Sequence, residues 1–387
     1  MVPLWQRKKS EVSKEEYDKF YRDRFNDYAE PQSVIAVSAE GSVTYRALLF
    51  IPSKAPGLFY TDDYEPGLQL YSAGVMIMDK CADLLPEQFS FVRGVVDSPD
   101  LSLNISRELL QHDRQLKIIA GNIEKKIRAE LVRMLKDERE NYEKFYQNFG
   151  RQLKIAALNN YGAKKEQVQD LLLFYSSAEK KMVTLEEYVG RMKEGQKYIY
   201  FASGETVETI DHLPQTERLR DREYEILYFT DRGDEFLPEM LHEYQGKEFR
   251  SAVDGDWGLE DTPKADESDA HKETFEFIKS YLGDRVDEVR ASQKLKSHPV
   301  CLTSGEGLTF EMEKYFNAVQ PELGMKARRI LELNVDHPAF ARLETARIMD
   351  EDKAKKFTEV LFNQARLIAG LPLEDPSAYT DLLCSLW

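Results

Sequence analysis

Apolar residues recur along this chain at the spacings that separate helices from strands. Tyr17, Phe20, Tyr21 and Phe25 share one helical face, and Ser13 followed by Glu16 supplies a capping pair, so residues 13–28 are expected to form a helix. Residues 34–38 and 43–51 read as paired strands about a turn at Glu40 and Gly41, and 68–77 and 89–96 add further strands. Residues 53–67, rich in Pro, Gly and Tyr, read as an exposed loop. Ile123, Ile127, Leu131, Leu135, Tyr142, Phe145 and Phe149 predict one long helix over 123–149, with a break at Gly150. Shorter elements alternate from Val168 onward: helices over 185–192 and 235–244 and strands over 198–202 and 224–230 predict a second, smaller α/β unit. Residues 253–272 are polar and acidic and read as a connection. Helical spacing returns at Glu273, a strand is expected at 299–302, and two helices close the chain, over 351–369 and from Asp375-Pro376 onward.

At 387 residues the chain is too long for one core, and the pattern divides it into 1–150, 151–253, an acidic connection at 254–272, and 273–387. Hydrophobic residues make up 42% and charged residues 32%, the balance of a globular protein with a heavily charged surface. A formal charge of -16 argues against nucleic acid as a partner. No stretch has the length of a membrane span and no apolar signal core opens the chain, so a cytoplasmic location without membrane contact is expected. Cys81, Cys301 and Cys384 are odd in number and far apart, which fits reduced thiols. His298 and Cys301 have ligand-like spacing, but no second pair follows to complete a metal site, and none is expected.

Candidate chemistry concentrates in residues 97–119, DSPDLSLNISRELLQHDRQLKII, where a strand-like run ends and a helix begins. Asn104 or Ser106 can cap that helix, and Asn104, Arg107, Gln111 and Arg114 then share one face. A cation in the first helical turn opposes the macrodipole at about 0.3–1 kcal/mol. Arg107 stands there, an arrangement suited to an incoming anion that N–H groups and guanidinium attract together. The other reading pairs Arg107 with Asp97, Asp100 or Glu108 and only orders the turn.

Leu308, Met312, Tyr315 and Phe316 form an adaptable apolar stripe that either grips exposed apolar surface on a partner or packs into the core. Trp5 reads as a core anchor for the first strand. Phe357, Leu361, Ala365 and Ile368 on one terminal helix, with Leu382, Leu383 and Leu386 on the next, make more apolar surface than two short helices can bury alone. A second copy would complete a four-helix bundle. A self-contained α/β enzyme has no Ser-His-Asp or Cys-His signature to stand on, and a passive dimeric scaffold remains a further alternative.

The run LSLNISRELLQ at 101–111, with PLWQR at 3–7, RALLFIP at 46–52, FVRGVVDS at 91–98, YVGRMKEGQKYIYFASGE at 188–205, LELNVDHP at 331–338 and LEDP at 373–376, resembles the ninety-kilodalton heat-shock chaperones, and most of all their bacterial HtpG branch. The resemblance implies an α/β (α+β) fold: two α/β sandwich units joined by helices, then a mixed α/β C-terminal dimerisation domain ending in a helix bundle. It further implies a piece holding the middle and C-terminal domains without the N-terminal ATP-binding domain. Its partners would be a second copy of itself, partly folded client proteins and the N-terminal ATPase domain of the same protein.

Arg107, Gln111 and Asn104 would then act on ATP and Mg bound in that other domain, and this chain alone would hold no cofactor and hydrolyse no ATP. Trp5, Leu308, Met312, Tyr315 and Phe316 would meet clients. The chain departs from the family pattern at Gly57, where an aromatic usually follows Pro56, and Leu58, Phe59 and Tyr60 are candidates to replace it.

Overall fold

The structure is a computed structural model that describes residues 2–101, 114–254, 257, 270–305 and 307–386. The chain divides into two compact units, Met1–Leu173 and Phe174–Trp387.

In the first unit, helix α1 (Lys14–Phe25) starts at a capping box in which the Ser13 side chain and Glu16 each accept from the other's backbone N–H, and it stops at Asn26 in the left-handed region. Strands β1 (Ser33–Ala39), β2 (Tyr45–Ile51), β3 (Leu68–Ser72), β4 (Val75–Cys81) and β5 (Arg93–Asp97) form one sheet in the order β1-β2-β5-β3-β4. Tyr17 and Tyr21 of α1 pack on Leu48 and Phe50, on one face of β2. Leu49 and Ile51 point to the other face and are also buried, so the sheet is covered on both sides. Helix α2 (Arg114–Asp137) lies on that second side, where the Tyr45 hydroxyl bonds Asn122. Helix α3 (Arg139–Gly162) brings Phe145 and Phe149 against Phe91, and the short helix α4 (Lys165–Val168) follows.

Three expectations need correction here. The apolar run 68–77 is two strands, because Ala73 and Gly74 both take positive φ (48° and 82°) and fold it into a hairpin. The single long helix is α2 and α3 with a break at Glu138 (φ -137°, ψ 54°), inside an all-polar stretch with no Gly or Pro to mark it. Gly150 ends nothing: the helix runs through it, and the Tyr146 ring lies 2.6 Å from where a Cβ would stand, which keeps the position a glycine. The helical backbone is lost instead at Asn159, Asn160 and Tyr161.

In the second unit a six-stranded sheet has the order β10-β11-β8-β9-β6-β7. Its strands are β6 (Phe174–Ser176), β7 (Met182–Val183), β8 (Tyr198–Ser203), β9 (Ile226–Phe229), β10 (Glu243–Tyr244) and β11 (Lys247–Ser251), of which β11, β8 and β9 run parallel. Short helices α5 (Leu185–Arg191), α6 (Val207–Asp211), α7 (Glu217–Asp221) and α8 (Leu237–Leu241) connect them. The acidic connection is only partly described, yet Trp257 within it is buried and its ring N–H donates to the Ala252 carbonyl.

After α9 (Lys272–Leu282) a three-stranded sheet, β12 (Glu288–Ala291), β14 (Ile330–Leu333) and β13 (Val300–Thr303) in spatial order, packs with α10 (Phe310–Val319), α11 (Pro338–Met349) and α12 (Glu351–Ile368) around one core that includes Leu302, Phe310, Leu331, Phe340, Leu361 and Phe362. Helix α13 (Pro376–Cys384), capped by Asp375, closes the fold. Mixed α/β units followed by a helical end are the architecture that the sequence pattern predicts.

Candidate functional site

Strand β5 carries the chain to the start of the candidate loop, and its last residue anchors that start. Asp97 is buried (4% exposed) at the strand end. Its Oδ2 accepts from Trp5 Nε1 and Gln6 Nε2, both at 3.0 Å, and its Oδ1 accepts from the Gly74 N–H at 3.1 Å. The carboxylate thus ties together the first residues of the chain, the β3–β4 hairpin turn and the loop base.

The next residues are held as firmly. The Ser98 N–H donates to the Tyr71 carbonyl (3.1 Å) and its hydroxyl to the Thr44 carbonyl (2.7 Å). Asp100 accepts from the Thr44 N–H (2.7 Å), and the Ser72 hydroxyl donates to the Leu101 carbonyl (2.6 Å). These bonds fix residues 97–101 on the sheet. Asn104, Arg107 and Gln111 themselves lie outside the described residues. Asp97 and Asp100, offered by the sequence as partners for Arg107, spend oxygens on the neutral donors just named.

Trp5 is half-buried, with its ring 5.1 Å from Tyr71 and 6.0 Å from Phe20. In the loop 53–67, Phe59 is buried against Phe149, whereas Leu58 and Tyr60 are exposed.

The stripe on α10 splits by position. Thr309 caps the helix through the Met312 N–H, and Met312 and Phe310 are buried (5% and 7% exposed). Leu308 is half-buried against the same core. Tyr315 and Phe316 are half-buried around Phe236, at 5.2 and 5.6 Å between ring centres, with the Arg232 guanidinium over Tyr315. A two-pronged ion pair fixes the helix: both Arg329 terminal nitrogens reach Glu313 at 2.6 Å, and Glu313 also accepts the Ala327 N–H.

At the end of the chain, Leu361 and Ala365 lie inside the core of a single copy, with Phe357 against them, and Ile368 is half-buried. Leu382, Leu383 and Leu386 are each partly exposed, and α13 buries no residue. Ile348, Met349 and Leu367 on the neighbouring helices are exposed.

Sequence reasoning missed the polar centre of the second unit. Glu332, on the middle strand of the three-stranded sheet, is buried at 2% exposure. It accepts from Arg290 (2.7 Å), Ser292 (2.9 Å) and Thr303 (3.2 Å). Burial pushes its carboxyl up, but Lys294, Arg290 and these hydrogen bonds more than offset that and hold it below the ordinary value. The visible signal was a lone acid in the apolar run ILEL. His298 engages Glu217 at 3.1 Å and Cys301 is buried beneath Glu332; among the described residues no group of three or more His, Cys, Asp or Glu is placed to hold a metal ion. Among the same residues no helix is long and apolar enough to cross a membrane.

A family model described as Hsp90 protein matches residues 1–386. The chain is 53% identical over 390 residues to a protein of Alkaliphilus metalliredigens named "Chaperone protein HtpG", 54% over 392 residues to the protein of that name from Clostridium acetobutylicum, and 51% over 390 residues to that of Bacillus subtilis. Each match covers 100% of this chain and 62% of the relative, so the chain spans under two thirds of their length. The family model spans all but the last residue and the likeness to these relatives runs the length of the chain, so the chain belongs to the Hsp90 family.

Proposed function

We propose that this chain is the client-holding and dimer-forming part of an ATP-driven cytoplasmic chaperone, working as a homodimer. In the whole protein Arg107, supported by Asn104 and Gln111, faces the γ-phosphate of ATP held with Mg by an N-terminal domain. A guanidinium placed where negative charge gathers favours hydrolysis only when the domains dock, which couples turnover to closure. The chain alone hydrolyses no ATP. Its divisions are a middle domain over 1–150 and 151–253, a connection over 254–272 and a C-terminal domain over 273–387. Clients meet Trp5 and the α10 surface around Leu308, Tyr315 and Phe316. The observation that carries this reading is the likeness to HtpG chaperones along all of the chain.

The dimer rests on α13, whose leucines stay partly exposed within one copy. Light scattering on the chain and on a version ending at Glu374 tests it. That cut spares α12, whose Leu361, Phe362 and Ala365 belong to the core. A dimer that becomes a monomer on shortening is expected; a chain monomeric at all concentrations would overturn the dimer. Suppression of a denatured client's aggregation at equimolar chain is expected as well, and its absence would leave the passive scaffold.

A further inference from the structure

A cavity of about 140 Å³ lies wholly within the second unit, beyond the carboxyl ends of the parallel strands β8 and β11 and beneath α10. In open α/β sheets this end of the strands is where ligands collect. Its walls are of two kinds. Phe201, Val253, Leu302 and Met312 make it apolar, while Gln215, Glu235, Asp254 and Glu311 bring polar groups to it.

The polar groups differ in what already satisfies them. Glu311 is paired with Lys314 at 2.7 Å. Asp254 accepts from the Ser304 N–H and hydroxyl at 2.9 and 2.8 Å and feels the positive charge of Lys294. Glu235 is left over. It accepts only backbone N–H groups, that of Gly233 at 3.1 Å and its own, and among the described residues no Lys or Arg forms an ion pair with it. Burial pushes its carboxyl up, and the negative Glu311 and Asp234 beside it add to this.

Gln215 is the independent observation. It is 1% exposed, its Nε2 donates to the Leu302 carbonyl at 3.2 Å, and among the described residues its Oε1 has no partner. Turning the amide over would set its oxygen against the Leu302 oxygen, so the orphan is an acceptor and calls for a donor. An acidic wall with an unused acceptor rejects an anion, and Glu235, half-buried and without an ion-pair partner among the described residues, is open to a cation.

We propose that this cavity binds a small organic monocation, a primary ammonium or amidinium group on a compact apolar body, with Glu235 as its counterion and the Gln215 oxygen as a further acceptor. The apolar walls take the body of the molecule and α10 closes over it. The volume suits a free molecule of one ring, since an apolar cavity of about 150 Å³ holds benzene.

The test is a titration of the whole chain with benzamidinium, followed by calorimetry and by the methyl resonances of Met312 and Leu302. Saturable binding at one site per chain, with both methyl groups shifting, is expected. Neutral benzamide should bind at least about tenfold more weakly, and Glu235→Gln should weaken benzamidinium by about the same factor. No saturable binding at millimolar benzamidinium, equal binding of benzamide, or binding unchanged by Glu235→Gln would each overturn the proposal. Should Glu235→Gln not fold, the benzamide comparison and the methyl shifts in the unaltered protein decide alone. None of these readouts depends on chaperone activity, so the two readings fail separately.

Discussion

Substituting Asp97→Asn removes a charge and turns one of its acceptor oxygens into a donor, at a place where all the observed partners are donors. Either the pair from Trp5 and Gln6 or the Gly74 N–H then faces an NH2 group. A hydrogen bond to a charged group is worth about 1.5–3 kcal/mol. Trp5 and Gln6 are half-buried and Gly74 is exposed, so the freed donors regain some water, and the net loss should be about 2 kcal/mol.

For a unit of this size that lowers the melting transition by about 4–8 °C. The amides of Ser98 and Gly74, whose hydrogen bonds depend on the anchor, should exchange up to about thirtyfold faster. Calorimetry and hydrogen exchange read by mass spectrometry measure both effects. If Asp97→Asn melts within about 1 °C of the parent and leaves the Ser98 amide unchanged, the carboxylate does not hold the loop base and the coupling drawn from it is wrong.

Three further outcomes are expected. Glu313→Ala strands the nearly buried Arg329 and should cost the second unit about 3–5 kcal/mol in urea unfolding, with Glu313→Gln losing less; a change under about 1 kcal/mol would show the ion pair to be idle. Glu332 is held below its ordinary value, so its contribution to stability is complete above the unfolded-state value and is lost as pH falls through the lower folded one. The acid side of the stability curve for unit two should therefore flatten in Glu332→Gln, and parallel curves for the two proteins would refute this. Met312→Ser should destabilise by about 2–4 kcal/mol because the side chain is core, whereas Tyr315→Ser should cost less than about 1 kcal/mol and act on client protection instead. The reverse ranking in urea titrations would contradict the assignment of Met312 to the core.

Local rules were readable where one residue type does one job. The Ser13 and Glu16 cap and the start of the last helix at Asp375-Pro376 both follow from nearest-neighbour chemistry. What escaped depends on how neighbouring pieces pair and pack, some of them far along the chain. Ala73 is no turn former by type, and it takes its left-handed backbone because β3 and β4 pair on both sides of it. Glu138 breaks a helix within a stretch whose every residue is compatible with one, and the apolar stripe before it gives no warning. Met312 and Tyr315 share one helical face, yet only the core beneath decides which of them is covered. Asp97 looked like a partner for a nearby arginine, and its donors turned out to be residues 91, 92 and 23 positions away.

The strand order β1-β2-β5-β3-β4 also sets a timetable for the growing polypeptide. Two hairpins leave the ribosome first, each with an edge that will later lie inside the sheet, and the strand that joins them comes last. At roughly 5–20 residues per second, the stretch from Cys81 to Asp97 adds on the order of a second during which those edges stand open. Gly94 lies so close to β2 that a Cβ would sit 2.4 Å from the Leu48 oxygen, so the closing strand fits with little room for error. Until it docks, the nascent first unit is itself a client in need of protection from strand pairing with its neighbours.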